Sequence, residues 1–101
     1  MKIAIHFDSR KDNFCHRWIS YCAINSKEYI LVNAFANNII DELSDCTHFL
    51  WHWMHYDYQS VLSAKQILFS LEKSKIKVFP DINTCFYYDD KLGQKYLFES
   101  L

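Results

Sequence analysis

A chain of 101 residues is one domain, large enough to bury roughly 65% of the surface its unfolded form exposes, so a core closes without metal or disulfide staples. Half of the residues are apolar, 18% are aromatic, and acidic and basic groups nearly cancel at a net charge of −1. That balance leaves no electrostatic footprint for nucleic acid or an anionic membrane, and the longest apolar runs fall far short of the roughly 20 residues that span a bilayer.

In chain order, "KIAIHF" (2–7) reads as a buried strand bounded by the polar cluster "DSRKDN". A helix then starts from Asp12 or Asn13, with Phe14, Trp18, Ile19, Tyr21 and Cys22 on one face and Arg17 and Ser20 elsewhere. "EYILVN" (28–33) is a second strand, and a short helix follows with Ile39, Ile40 and Leu43 apolar and Asp41 and Glu42 toward solvent. "THFLWHW" (47–53) is a third strand. "DYQSVLSAKQILFSLEKSK" (57–75) is the clearest helix, with Tyr58, Val61, Leu62, the Lys65 stem, Leu68 and Leu71 spaced by threes and fours. Lys73 and Lys75 suit its negative end. "KIKVF" (75–79) alternates as a fourth strand, halted by Pro80, and a loop leads to a last helix. Asp89 or Asp90 caps that helix, and Leu92, Tyr96, Leu97, Phe98 and Leu101 recur along it with no stop signal after them. The expectation is a helix that frays at its terminus or belongs to something longer.

Strands alternating with helices over short connections predict an α/β fold: an open, mainly parallel four-stranded sheet with helices on both faces and right-handed crossovers. Fold analogy suggests the strand order 2-1-3-4. The one glycine, Gly93, excludes a G-x-G-x-x-G turn after the first strand and a Walker A loop, which makes autonomous dinucleotide or P-loop nucleotide binding an unsuitable reading. Cys15, Cys22, Cys46 and Cys85 form no C-x-x-C pair, and a strand-like run follows Met1 with no leader. These features predict a cytoplasmic chain whose thiols are reduced and pack as small hydrophobes.

Ligands of open parallel sheets gather beyond the carboxyl ends of the strands, where strand order reverses. With strands one and three adjacent, Asp8, Ser9 and Arg10 meet His52, Trp53, His55, Tyr56 and Asp57 there. A carboxylate, a guanidinium, imidazoles and an indole together suit a small polar or carboxylated ligand. The structural alternative has Asp57 capping the long helix, Arg10 paired with an acidic neighbour and the aromatics packed over the sheet end. His48, His52 and His55 raise a metal reading, but along a strand His48 and His52 stand about 13 Å apart at roughly 3.3 Å per residue, too far for one ion. The assignment is no metal. No local signature marks a cysteine as an activated thiolate, and His6 reads as a hydrogen-bonded core histidine.

The segment "KVFPDINTCFYYDDKLGQKYLFESL" resembles the junction between the N-terminal, pre-ATP-grasp domain and the catalytic lobes of ATP-grasp ligases. In that family a strand ends in a Pro-containing loop and a "DK" pair opens a helix that leads to a G-I-P-x-P-like stretch. Pro80 and Asn83-Thr84 fill the loop here, Asp90 and Lys91 match the pair, and Gln94-Lys95-Tyr96-Leu97 continue the helix. "CTHFLWHWMHYDY" and "AKQILFSLE" look like the third strand and helix of a subgroup. The likeness runs over essentially the whole chain, its first half mainly by order of elements.

The resemblance implies a Rossmann-like pre-ATP-grasp domain and a non-catalytic part of a carboxylate ligase. Mg-ATP is the cofactor expected for the complete ligase, held by lobes that this chain lacks, so no catalytic residue is carried over. Asp8, Ser9, Arg10, His52, Trp53, His55 and Asp57 are candidates to line an acceptor pocket, while Asp90 and Lys91 cap and orient the junction helix. The implied partner is the ATP-grasp domain of the same polypeptide, and a domain parted from it exposes apolar surface through which it pairs as a homodimer. The alternative is a free-standing α/β module that binds a protein through Trp18, Trp51, Trp53 and Phe86-Tyr87-Tyr88, aromatics that core packing also accounts for.

Overall fold

The computed structural model describes residues 1–53, 58–87 and 91–101. Four strands, β1 (Ile3–His6), β2 (Tyr29–Val32), β3 (His48–Leu50) and β4 (Lys77–Phe79), form one open sheet in the order β2-β1-β3-β4, every pairing parallel. The expected order 2-1-3-4 is the observed one. Helices α1 (Cys15–Ile24), α2 (Ile39–Glu42) and α3 (Tyr58–Lys73) make the connections, and α4 (Ile82–Tyr87) and α5 (Lys91–Ser100) follow β4.

The order decides where the helices go. The step from β1 to β2 runs one way across the sheet, the steps to β3 and β4 run the other, and right-handed crossovers therefore place α1 on one face and α2 and α3 on the opposite one. Packing follows that division. Ile5 packs with Cys15 and Cys22 of α1, joined by Ile3, Trp18, Ile19, Tyr29 and Leu50. Ala4, Val32 and Phe49, which alternate with these along the strands, pack with Ile39 of α2 and with Ala64, Leu68 and Leu71 of α3. Burying Phe49, Leu68 or Leu71 contributes about 1.5–3 kcal/mol each relative to exposure.

Several expectations are corrected in detail. The inward stripe of α1 keeps Trp18, Ile19 and Cys22 of the predicted face and adds Cys15, whereas Phe14 is 45% and Tyr21 60% exposed. In α3 the predicted Val61, Leu68 and Leu71 do face the core, joined by Ala64 and Ile67, while Leu62 is 52% exposed: a small alanine lets the helix approach the sheet closely, and periodicity weighted by size overlooks it. The third strand closes at Leu50, although the Trp51 N–H still donates to the Phe79 carbonyl. The loop after Pro80 contains α4, capped by Asp81, whose Oδ1 accepts the Thr84 N–H at 2.8 Å. The Ile82 N–H donates to Glu72 and fastens α4 to α3.

Two helices stop without glycine. Ser26 (φ 54°) and Lys75 (φ 66°) both adopt the left-handed conformation. Beyond them the Lys27 N–H returns to the Cys22 carbonyl and the Ile76 N–H to the Leu71 carbonyl, the six-residue closure of a Schellman stop. Ile76 then packs in the same cluster as Leu71.

Candidate functional site

The loops after β1 and β3 meet at the carboxyl edge of the sheet, and Asn13 makes the joint. Phe14 is already helical (φ −66°, ψ −15°), so Asn13 is the residue that caps α1, its Oδ1 accepting the Cys15 N–H at 2.9 Å. Its Nδ2 donates to the His52 carbonyl at 2.8 Å. The Phe14 N–H donates to His52 Nδ1 at 2.8 Å, and the two rings stack with centroids 4.3 Å apart. An imidazole that accepts through Nδ1 carries its proton on Nε2 while neutral, and protonation of Nδ1 breaks the bond. Burial holds the His52 imidazole below its ordinary value, against the opposing pull of Asp12 and Asp8 and with a further push from Arg10.

A second imidazole does the same work one strand away. His6 is buried at the end of β1, and its Nδ1 accepts the Ala34 N–H at 2.9 Å, holding the turn after β2. Phe35 meets the ring edge-on and Trp51 at a tilt. Burial lowers its pKa, with Asp8 opposing. The expected core histidine is the observed one.

Asp8 and Arg10 engage each other. Arg10 donates through Nη2 at 2.7 Å, through Nε at 3.1 and 3.2 Å, and through its backbone N–H at 2.8 Å. The hydrogen bonds from Arg10 hold the Asp8 carboxyl below the usual carboxylate range. A carboxylate so occupied is a poor general base.

The structure divides the sequence-selected residues between two clefts. Asp8 and Ser9 line an open groove of about 800 Å³ along β2, together with His6, Asn33, Phe35 and Glu42. His52, Trp53 and Pro80 line a smaller cavity of about 210 Å³ beyond the ends of β3 and β4. Phe14, just before α1, and Trp18 of α1 form one wall of it, Trp51 and Phe79 others, and Thr84 of α4 closes it. Trp18 and Phe79 stand edge to face, 6.0 Å apart at 90°. His55, Tyr56, Asp57 and Asp90 lie outside the described residues, and Lys91 opens α5.

Asn13, Phe14 and Phe79 are absent from the sequence-selected set. Asn13 carried a signal, since Asn directly before a helical apolar pattern is a capping residue. Phe79 carried none, because its role follows from the end of β4 lying opposite α1.

Among the described residues lining the smaller cavity, His52 is the sole titratable side chain, so the arrangement is suited to binding. Burial pushes the Cys22 and Cys46 thiols up, away from thiolate chemistry. Among the described residues no group of three His, Cys, Asp or Glu side chains is placed to hold a metal ion, and no helix is long and apolar enough to cross a membrane. Comparison with protein-family models, with curated proteins and with solved structures gives no match for this chain.

Proposed function

We propose that this chain is the N-terminal, non-catalytic domain of an ATP-grasp carboxylate ligase, and that its carboxyl-edge cavity forms part of the acceptor-substrate pocket. The observation that supports this reading is the course of the junction-like segment. It leaves the sheet at edge strand β4, passes Pro80 at the rim of the cavity, and continues through α4, packed on α3, into α5, packed on α4. Residues that resemble the ligase junction thus lie beside an apolar cavity beyond the carboxyl ends of β3 and β4, the edge at which open α/β sheets place their ligands. In such a ligase Mg-ATP phosphorylates a carboxylate and an amine attacks the acyl phosphate, all of it on lobes beyond this domain.

The test is an ADP-formation assay on the 101-residue chain with Mg-ATP, paired with sequencing of the reading frame past the codon for Leu101. The expected results are no turnover above background and a frame that runs on into lysine-bearing and acidic ATP-grasp segments. Magnesium-dependent ADP formation by the chain alone overturns the reading.

A second reading, a free-standing interaction module, rests on the exposed rings of Phe14 and Phe79 beside Trp18. A stop codon directly after Leu101 favours it over the first.

A further inference from the structure

We propose that the cavity between α1 and the carboxyl ends of β3 and β4 binds one uncharged aromatic ring and, resting on the ligase reading, that the ring belongs to the acceptor substrate. Size is the first argument. At about 210 Å³ the cavity exceeds the roughly 150 Å³ of an apolar cavity that takes up benzene, and so holds one substituted ring and not two.

The walls are the second argument. Trp18 and Phe79 meet at 90°, Phe14 and Trp18 at 75° with centroids 6.5 Å apart, and Trp51 and Trp53 at 68° and 5.7 Å. Steeply crossed walls offer a guest ring both a face and an edge, the two arrangements in which aromatic groups pair best.

Charge is the third. None of the described lining residues is Asp, Glu, Lys or Arg, so a carboxylate, phosphate or ammonium entering the cavity loses hydration and gains no counter-ion from these walls. A cation drawn to the π-faces also meets competition at Phe14, which is stacked by His52 and has the Arg17 guanidinium 5.3 Å from its centroid. Besides the indole N–H groups, the polar side chains are His52 and Thr84, enough to orient a single ring substituent. Entry needs no unfolding, since Phe79 is 57% and Phe14 45% exposed.

The probe is p-cresol, read by intrinsic fluorescence, because all three tryptophans of the chain line this cavity. Titration of the 101-residue chain is expected to saturate. Phe79→Ala should weaken binding about tenfold through loss of one ring wall, while Phe69→Ala, on the exposed side of α3, leaves it unchanged. Nuclear Overhauser contacts between p-cresol and the indole protons of the unmodified chain give a readout independent of any variant. Three results overturn the ring assignment: no saturation, equally tight binding of 4-methylcyclohexanol, or tighter binding of tetramethylammonium. Saturable p-cresol binding by a chain whose reading frame lacks ligase lobes overturns the acceptor assignment and keeps the ring site. A ligase-bearing frame whose N-terminal domain ignores p-cresol overturns the ring site and keeps the ligase reading.

Discussion

Replacing Asn13 by alanine removes both arms of the joint between the loops after β1 and β3. The cap hydrogen bond to the Cys15 N–H at 2.9 Å and the cross-loop bond to the His52 carbonyl at 2.8 Å disappear together. Each contributes about 0.5–1.5 kcal/mol net, and the Cys15 N–H, on a fully buried residue, is left without a partner at a further cost of about 1–3 kcal/mol. Partial rescue by relaxation or water brings the expected loss to about 2–4 kcal/mol, a large share of the roughly 5–15 kcal/mol that holds a domain of this size together. Urea unfolding followed by far-ultraviolet dichroism reads it as a midpoint lower by about 1–2 M, for a slope of about 1–3 kcal/mol per M. Asn13→Ser keeps a cap acceptor but is too short to reach His52, so it should recover only the helix share, about 1 kcal/mol. An alanine variant with an unchanged midpoint would refute the joint as described.

The remaining predictions concern helix ends, titration and the core. Lys75→Gly and Ser26→Gly each relieve a left-handed residue and should raise stability by about 0.5–1 kcal/mol, seen as a higher thermal midpoint; a fall would contradict the Schellman stops. His6 and His52 both have lowered pKa values in the fold, so the unfolded chain binds more protons than the folded one at mildly acidic pH. Their contribution is therefore fully present above the unfolded imidazole value of about 6.5 and is lost as pH falls below it. Urea midpoints should be level between about pH 7 and 8 and decline from about pH 6.5 downward; a midpoint that rises on acidification runs against the assignment. Leu68→Ala should cost about 2–5 kcal/mol, whereas Leu62→Ala, on the exposed side of α3, should stay within about 0.5 kcal/mol. Equal losses at the two sites would place the contact stripe of α3 wrongly.

The sheet was legible in the sequence because each strand is a short apolar run set between polar clusters, and alternation with helices leaves few topologies for four parallel strands. What escaped was set by neighbours in space. Cys15 and Ala64 are small, weigh little in an apolar pattern, and are fully buried because α1 and α3 press on the sheet there. Helix stops were obscured by a chain with a single glycine, in which Ser26 and Lys75 take the positions that glycine marks elsewhere. Helix α4 was passed over although Asp81 stands three residues before Thr84, the spacing of the cap bond that now closes it. At the edge of the sheet the adjacency of β1 and β3 was anticipated, but Asp8 and Arg10 satisfy each other and the contact passes to Asn13 and Phe14. Pairing between residues two apart is a local preference that a rule about strand ends does not contain.

The two imidazoles at that edge also bear on how binding there is measured. Each serves as an acceptor only while Nδ1 is unprotonated, so a ligand that requires the joined arrangement competes with protons for the same rings. At mildly acidic pH its association expels protons into solution, and the heat of binding then varies with the ionisation enthalpy of the buffer. Above neutrality that dependence vanishes. The edge of this sheet thus carries an acid-base signature although no proton need move in anything it binds.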